Sequence, residues 1–262
     1  MKKKTNRIFP LFFICLLFLF SASCSYMKTD LGNENIDVSI TQIKTSSGKT
    51  GVILAFNAIS SELEIPSSVQ GLHVMKISFY KTSNLSSLSS ITFDKPCYIT
   101  EIDTFKGATS LTTIELPDTI TVMPSFKNCT KLETVTPSSG ITVIPDSCFE
   151  GCSSLKTVTI PEKVSKIGDS AFSNTKLKEI MCYPPIPPAI SKPGLPEKPK
   201  ETTTSTDSSS TETTDTTGTT VPTNNSSIEI TVYVPADSID LYKKEWGEVL
   251  DLTKVAIKAI EE

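Results

Sequence analysis

The chain has 262 residues, is 38% hydrophobic and carries a formal charge of −4 at pH 7. Removing the first 23 residues, which hold Lys2, Lys3, Lys4 and Arg7 and no acid, takes that charge from −4 to −8. So acidic a chain without a Lys/Arg cluster is a poor nucleic-acid binder, since phosphate neutralisation supplies most of that affinity. The single histidine, His73, excludes multi-His metal sites and leaves one imidazole for any Ser/His or Cys/His pair.

Residues 1–23 have the layout of a secretory signal peptide: a basic start, an apolar run from Ile8 to Phe20, then small Ser21, Ala22 and Ser23. The run falls short of the roughly 20 residues that span a bilayer. The next residue is Cys24, and "SASC" resembles the lipobox of bacterial lipoproteins, in which small residues precede a cysteine that is lipidated and becomes the new N-terminus. Ser21 departs from that pattern by standing where a Leu-like residue is usual. The resemblance implies lipid attachment at Cys24, with each buried methylene of the acyl chains worth about 0.8 kcal/mol of membrane binding. Ordinary cleavage with Cys24 incidental is the alternative. Ser25 gives no inner-membrane retention signal by the same analogy, which points to the outer membrane.

Residues 24–59 comprise this attachment region and an N-terminal strand cap. "IDVSITQI" (Ile36–Ile43) and "GVILAF" (Gly51–Phe56) read as a strand pair covering the open N-terminal end of a repeat array. From about residue 60 to 190 the chain repeats itself. "LEIPSSVQGLHVMKISFYKTSN" (Leu63–Asn84) is an irregular first turn, and regular turns start at Leu88, Leu111, Leu132, Leu155 and Leu177, spaced 23, 21, 23 and 22 residues apart. The shared frame is L-x-x-I-x-I-P, then V-x-x-I, then Phe between small residues. Leu111, Ile114 and Leu116 alternate in strand period after a two-residue opening step. Pro117 and Pro161 end strands by withholding a donor. Phe105, Phe126, Phe149 and Phe172 supply one ring per turn. No turn buries its apolar side alone, so neighbours must stack.

This frame, clearest in "LKTVTIPEKVSKIGDSAF", resembles the BspA-type (treponemal) leucine-rich repeats of bacterial surface antigens. The fold expected is a β-rich leucine-rich-repeat solenoid, a right-handed coil of short strands and turns of about 22–23 residues with a short C-terminal capping helix. Within residues 228–262, "IEITVYVPADSIDLYKKEW" resembles the closing strand, Val-Pro step and helix that end such arrays; Ser238 or Asp237 is the expected helix cap, and Tyr242 and Trp246 share one helix face. Residues 191–227 are Pro-rich, then almost wholly Ser and Thr, too poor in apolar groups to offset the entropy of ordering; a disordered insertion is expected there.

Chemistry is unmarked. Cys129, Cys148, Cys152 and Cys182 fall in packing slots of the repeat, where free thiols behave as small hydrophobes, and Cys97 has no clear slot. A Cys129–Cys152 bridge is geometrically conceivable between stacked turns. No nucleophile elbow, phosphate loop or metal set appears, so neither catalytic residues nor a cofactor is assigned. What remains is a ladder of polar strand positions on one face. The candidate binding residues are Thr92, Thr113, Glu115, Glu133, Thr134, Thr136, Lys156, Thr157 and Thr159, with nothing aromatic among them to mark a hot spot. The family resemblance implies a non-catalytic cell-surface lipoprotein that adheres to protein or glycoprotein partners, of extracellular-matrix type among others. An envelope-internal structural or scaffold lipoprotein is the alternative.

Overall fold

A computed structural model describes residues 25–26, 37–46, 48–80, 84–191, 194–195 and 229–261. The export segment, Cys24 and most of the 191–227 tract lie outside them.

The N-terminal unit is a sheet. Strand β1 (Ser25–Tyr26) pairs antiparallel with β2 (Asp37–Lys44), which pairs antiparallel with β3 (Thr50–Ala58). After β4 (Glu62–Ile65) and β5 (Ser68–Val69), β6 (Leu72–Phe79) lies parallel to β3. The expected strand pair is therefore more than a lid. Its second strand is already in register with the first turn of the coil, and it brings Phe56 into line with Phe79 at a ring separation of 5.5 Å.

The coil then alternates between two strand columns. Each turn contributes a strand at its Leu-rich start: β7 (Ser90–Phe93), β9 (Thr113–Glu115), β10 (Thr134–Thr136), β12 (Thr157–Ile160) and β14 (Glu179–Cys182). Most add a second, shorter one at the V-x-x-I step: β8 (Glu101–Ile102), β11 (Val143–Ile144), β13 (Lys166–Ile167) and β15 (Ala189–Ile190). Beyond the Ser/Thr tract, β16 (Ile230–Val234) lies parallel to β14, with Thr231 against Glu179 and Tyr233 against Met181. The flanks of the insertion are thus neighbouring strands of one array. After helix α1 (Ile239–Gly247), β17 (Val255–Ala259) adds a further parallel strand that no sequence motif predicts. The coil has about seven turns rather than the four or five countable from the regular repeats.

One apolar interior runs through all turns. Leu111, Leu132 and Leu155 are fully buried, and so are Phe105, Phe126 and Phe149, with Phe172 at 1%. Their rings stack at 5.3 Å, 5.5 Å and 5.7 Å with interplanar angles of 12°, 2° and 4°. The stack extends through Phe79 to Phe56, two rings beyond the four in the regular frame. Full burial of each ring contributes roughly 1.5–3 kcal/mol, and each offset pair about 0.5–1.5 kcal/mol more. Two residues after each ring, Gly107, Asn128, Gly151 and Asn174 take positive φ, which turns the chain back toward the next Leu. At Gly151 a Cβ would also lie 2.5 Å from Asn128 Oδ1, so a side chain there would have to displace that amide as well as adopt the left-handed backbone.

The thiols fill slots in this interior and are free. Cys129 donates to Phe105 O at 3.2 Å and Cys152 to Phe126 O at 3.1 Å, each reaching back one turn. Burial pushes both thiols up to about 12, and it raises Cys148 as well. At the closing end, α1 buries Tyr242 and Trp246. Tyr242 Oη donates to Pro184 O at 2.8 Å and Trp246 Nε1 to Pro188 O at 2.9 Å, which ties the Pro-rich fifth turn to the helix. The expected helix cap is not made. Ser238 stands at the N-cap position, but its hydroxyl donates to Pro185 O at 2.8 Å instead of accepting from the helix. Leu195, inside the tract expected to be a loop, is 5% exposed.

Candidate functional site

The strand column carries the expected face. Thr92 (β7), Thr113 and Glu115 (β9), Thr134 and Thr136 (β10) and Thr157 (β12) are exposed, Thr159 is half-buried, and Glu133 and Lys156 stand exposed just before their strands. Ladder register aligns them in rows: Thr113 with Thr134 and Glu115 with Thr136, then Thr157 with Glu179 and Thr231, and Thr159 with Met181, Tyr233 and Lys258. Glu64 joins Thr92 at the other end.

Two features of this face are not apparent from the repeat pattern. The first is aromatic. Tyr233 enters the Thr159 row from the closing strand, and Tyr183, 44% exposed, takes the strand-end position that Pro117 and Pro161 hold in earlier turns. The face is therefore not without aromatic side chains. Tyr183 was visible as an exception to the strand-end proline; Tyr233 was hidden by the long insertion between its strand and its neighbour.

The second is that the ladder is discontinuous. The strands form three sheets, β4–β7, β9–β10 and β12–β14–β16–β17. The seam between β10 and β12 has a clear cause. Leu116 and Ile160 occupy the last inward strand position of their turns, and the third regular turn has Pro137 there. Thr134 donates its backbone N–H to Thr112 O, and Thr136 O accepts from Leu116, so both peptide units face β9. Val135 and Pro137 consequently face β12, where Pro137 has no N–H to give. Burial continues across the seam through Phe149 and Phe172, and the opposite corner stays tied by Phe149 N to Ala171 O and Gly151 N to Ser173 O.

Each seam opens a cleft. That between β7 and β9 has a volume of about 390 Å³ and is floored by Phe93 and Leu116, with Lys95 near Glu115 at 4.0 Å and the half-buried Cys97 on its rim. That between β10 and β12 has a volume of about 440 Å³ and is lined by Thr134, Thr136, Ser139, Thr159, Glu162 and Tyr183, over Val135, Pro137 and Pro161. Both fall in the range of small-ligand sites. Neither contains a nucleophile–base pair. His73 lines neither cleft; it stands on β6, exposed and stacked on Tyr98 at 3.7 Å. Among the described residues no group of three His, Cys, Asp or Glu is placed to hold a metal ion, and no helix is long and apolar enough to cross a membrane.

Comparison with known proteins fits this geometry. The family described as "BspA type leucine rich repeat region" matches residues 74–186 in six copies. This segment is a BspA-type leucine-rich repeat array. Leucine-rich-repeat proteins are generally non-catalytic, and the repeat family suggests a protein-binding or surface role. No curated protein matches the chain significantly. Among solved structures, the chain is similar to a leucine-rich-repeat protein of T. pallidum, with 26% identity over 54% of this chain and 68% of that one and a TM-score of 0.46. It is also similar to a leucine-rich cell-surface protein of Faecalibacterium prausnitzii A2-165, with 20% identity over 55% of this chain and 52% of that one and a TM-score of 0.36. A leucine-rich-repeat protein of Bacteroides ovatus aligns over 88% of this chain and 77% of its own length, with 13% identity and a TM-score of 0.35.

Proposed function

We propose that the BspA-type array is the binding part of an exported bacterial surface protein, tethered by lipid at Cys24, that adheres to protein or glycoprotein partners through its strand face. Extracellular-matrix glycoproteins are partners of the right kind. The observation that carries the reading is the strand face itself. Successive turns set Thr and Glu side chains in aligned rows, which Met181, Tyr233 and Lys258 continue toward the closing end, with Tyr183 at a strand end beside them. An extended surface of this sort suits multipoint contact with a macromolecule, and the exposed Tyr183 supplies contact area at low entropic cost, with the half-buried Tyr233 beside it.

The test is protease shaving of intact cells against envelope-permeabilised controls, read by loss of the full-length band. Cleavage on intact cells supports a surface location. Protection until permeabilisation sinks the adhesive reading and favours a scaffold role inside the envelope. Labelling with radioactive palmitate, lost in Cys24→Ala, tests the tether separately.

A further inference from the structure

We propose that the cleft over the β10–β12 seam is a binding site for a neutral saccharide unit. This deepens the proposed adhesive reading, on which it rests, by naming the chemistry of one contact.

The lining decides the class. It offers hydroxyls from Thr134, Thr136, Ser139 and Thr159, one exposed carboxylate from Glu162, and no Lys, Arg or His. A phosphate, sulfate or sialic acid would meet a carboxylate and no cation, so anionic ligands are disfavoured. A purely apolar ligand would waste the hydroxyls and cover them unpaired. A sugar ring has both surfaces the cleft needs: hydroxyls that donate to Glu162 and exchange bonds with the threonines, and a C–H face that lies on an aromatic ring. Tyr183 supplies that ring. It sits one turn beyond Pro161, with its backbone N–H donating to Ile160 O at 3.1 Å, so its backbone is fixed by the four-stranded sheet while 44% of its surface is open.

The seam adds backbone groups. Thr134 and Thr136 direct their peptide units toward β9, and Tyr183 N bonds Ile160 O on the far side of β12. The peptide units of Val135 and Thr159 therefore face each other across a gap in which Pro137 has no N–H. Within each of the three sheets such groups close a ladder. Here they stand beside the cleft floor, available to a polar ligand. The gap is too narrow for an added peptide strand, because Cα atoms of β10 and β12 approach within 8 Å and an intervening strand needs about 10 Å. A small polyol lying over the seam meets no such limit.

The experiment uses the mature full-length chain on a glycan array holding neutral, sialylated and sulfated oligosaccharides, followed by calorimetric titration of the strongest neutral ligand. Expected is retention of neutral glycans, with affinity at least 10-fold weaker in Tyr183→Ala and in Glu162→Gln, and unchanged in Val122→Ala, an exposed residue that lines neither cleft. Thermal midpoints of the variants verify folding, and Glu162→Gln, exposed and unbonded to the core, reports even if Tyr183→Ala unfolds. Retention of charged glycans alone, no retention of any neutral glycan, or full affinity in both cleft variants overturns the assignment. Binding of an enzymatically deglycosylated partner with native affinity also overturns it, and leaves the protein-adhesion reading standing. Protection from shaving defeats the surface location instead, whatever the array shows.

Discussion

Replacing Phe149 with Ala tests the construction of the coil most directly. The ring is fully buried, and it stacks at 5.5 Å on Phe126 and at 5.7 Å on Phe172 in nearly parallel planes. Truncation removes a ring's transfer energy and leaves a cavity, together about 3–5 kcal/mol for Phe→Ala in a core. Collapse into the hole is limited on both sides, since Phe126 N bonds Cys148 O and Phe149 N bonds Ala171 O, both at 2.7–2.8 Å, so the turns cannot slide together. Two stacked pairs are lost as well, each worth about 0.5–1.5 kcal/mol beyond area. The loss should therefore fall in the upper part of that range, near 5 kcal/mol. Phe149→Leu keeps most of the volume and should cost roughly 1–2 kcal/mol. Phe56→Ala, with a single ring neighbour at the end of the stack, should cost less than Phe149→Ala. Urea unfolding monitored by far-UV circular dichroism gives the three values. A loss below about 1 kcal/mol for Phe149→Ala, or equal losses for the Ala and Leu variants, would refute the continuous ring stack.

Other expectations rest on single groups. Pro137→Ile restores an N–H and an inward aliphatic side chain at the seam, so it should raise stability by about 0.5–1.5 kcal/mol and slow amide exchange in β12; a lower melting point would show that the proline is needed to shape the turn. The thiols of Cys129, Cys152 and Cys182 are pushed by burial from 9.0 up to about 12, so the folded state keeps protons that the unfolded state releases. Their stabilising share is complete below about pH 9 and is lost as pH rises toward 12, at about 1.4 kcal/mol per thiol per pH unit; urea midpoints at pH 7, 9 and 10 should fall accordingly, and a flat profile contradicts their burial. Tyr242→Phe leaves Pro184 O without its donor and should cost about 1–3 kcal/mol by thermal unfolding, a loss that the same change at the exposed Tyr80 or Tyr183 does not produce. Deleting residues 200–225, which spares buried Leu195, should leave the melting point within about 1 °C of the parent, given the composition of that tract.

The coil was legible in the sequence because its period is written in large side chains. Leu111, Leu132 and Leu155 and the four phenylalanines recur at fixed intervals, and each sits where the frame places it. The outer turns were less legible. β4 and β6 bury Leu63, Ile65 and Ile77 with altered spacing, and β17 shares no motif with the repeat, so pairing rather than pattern reveals them. The helix cap was misread because Ser238 is chosen for a bond to Pro185, 53 residues away in sequence, which local propensity cannot see. On the binding face, alternation located the threonines correctly but could not show where the ladder parts. That depends on Pro137 standing one position before its expected place at the strand end, a shift of a single residue in a loosely spaced turn.

The three-sheet strand side gives the coil an uneven compliance. Within each sheet, neighbouring turns are clamped by short parallel hydrogen bonds, whereas at the two seams that side is joined only by side-chain contact. The ring stack spans both seams, with Phe105 against Phe126 at one and Phe149 against Phe172 at the other. Pulled along its axis, such a rod yields first where its clamps are missing, opening like a hinged rule on the strand side while the phenylalanine side holds as the leaf of the hinge. A ligand seated across a seam is then also a brace: it would stiffen the joint at which it binds, and tension that spreads the strand side would weaken its grip.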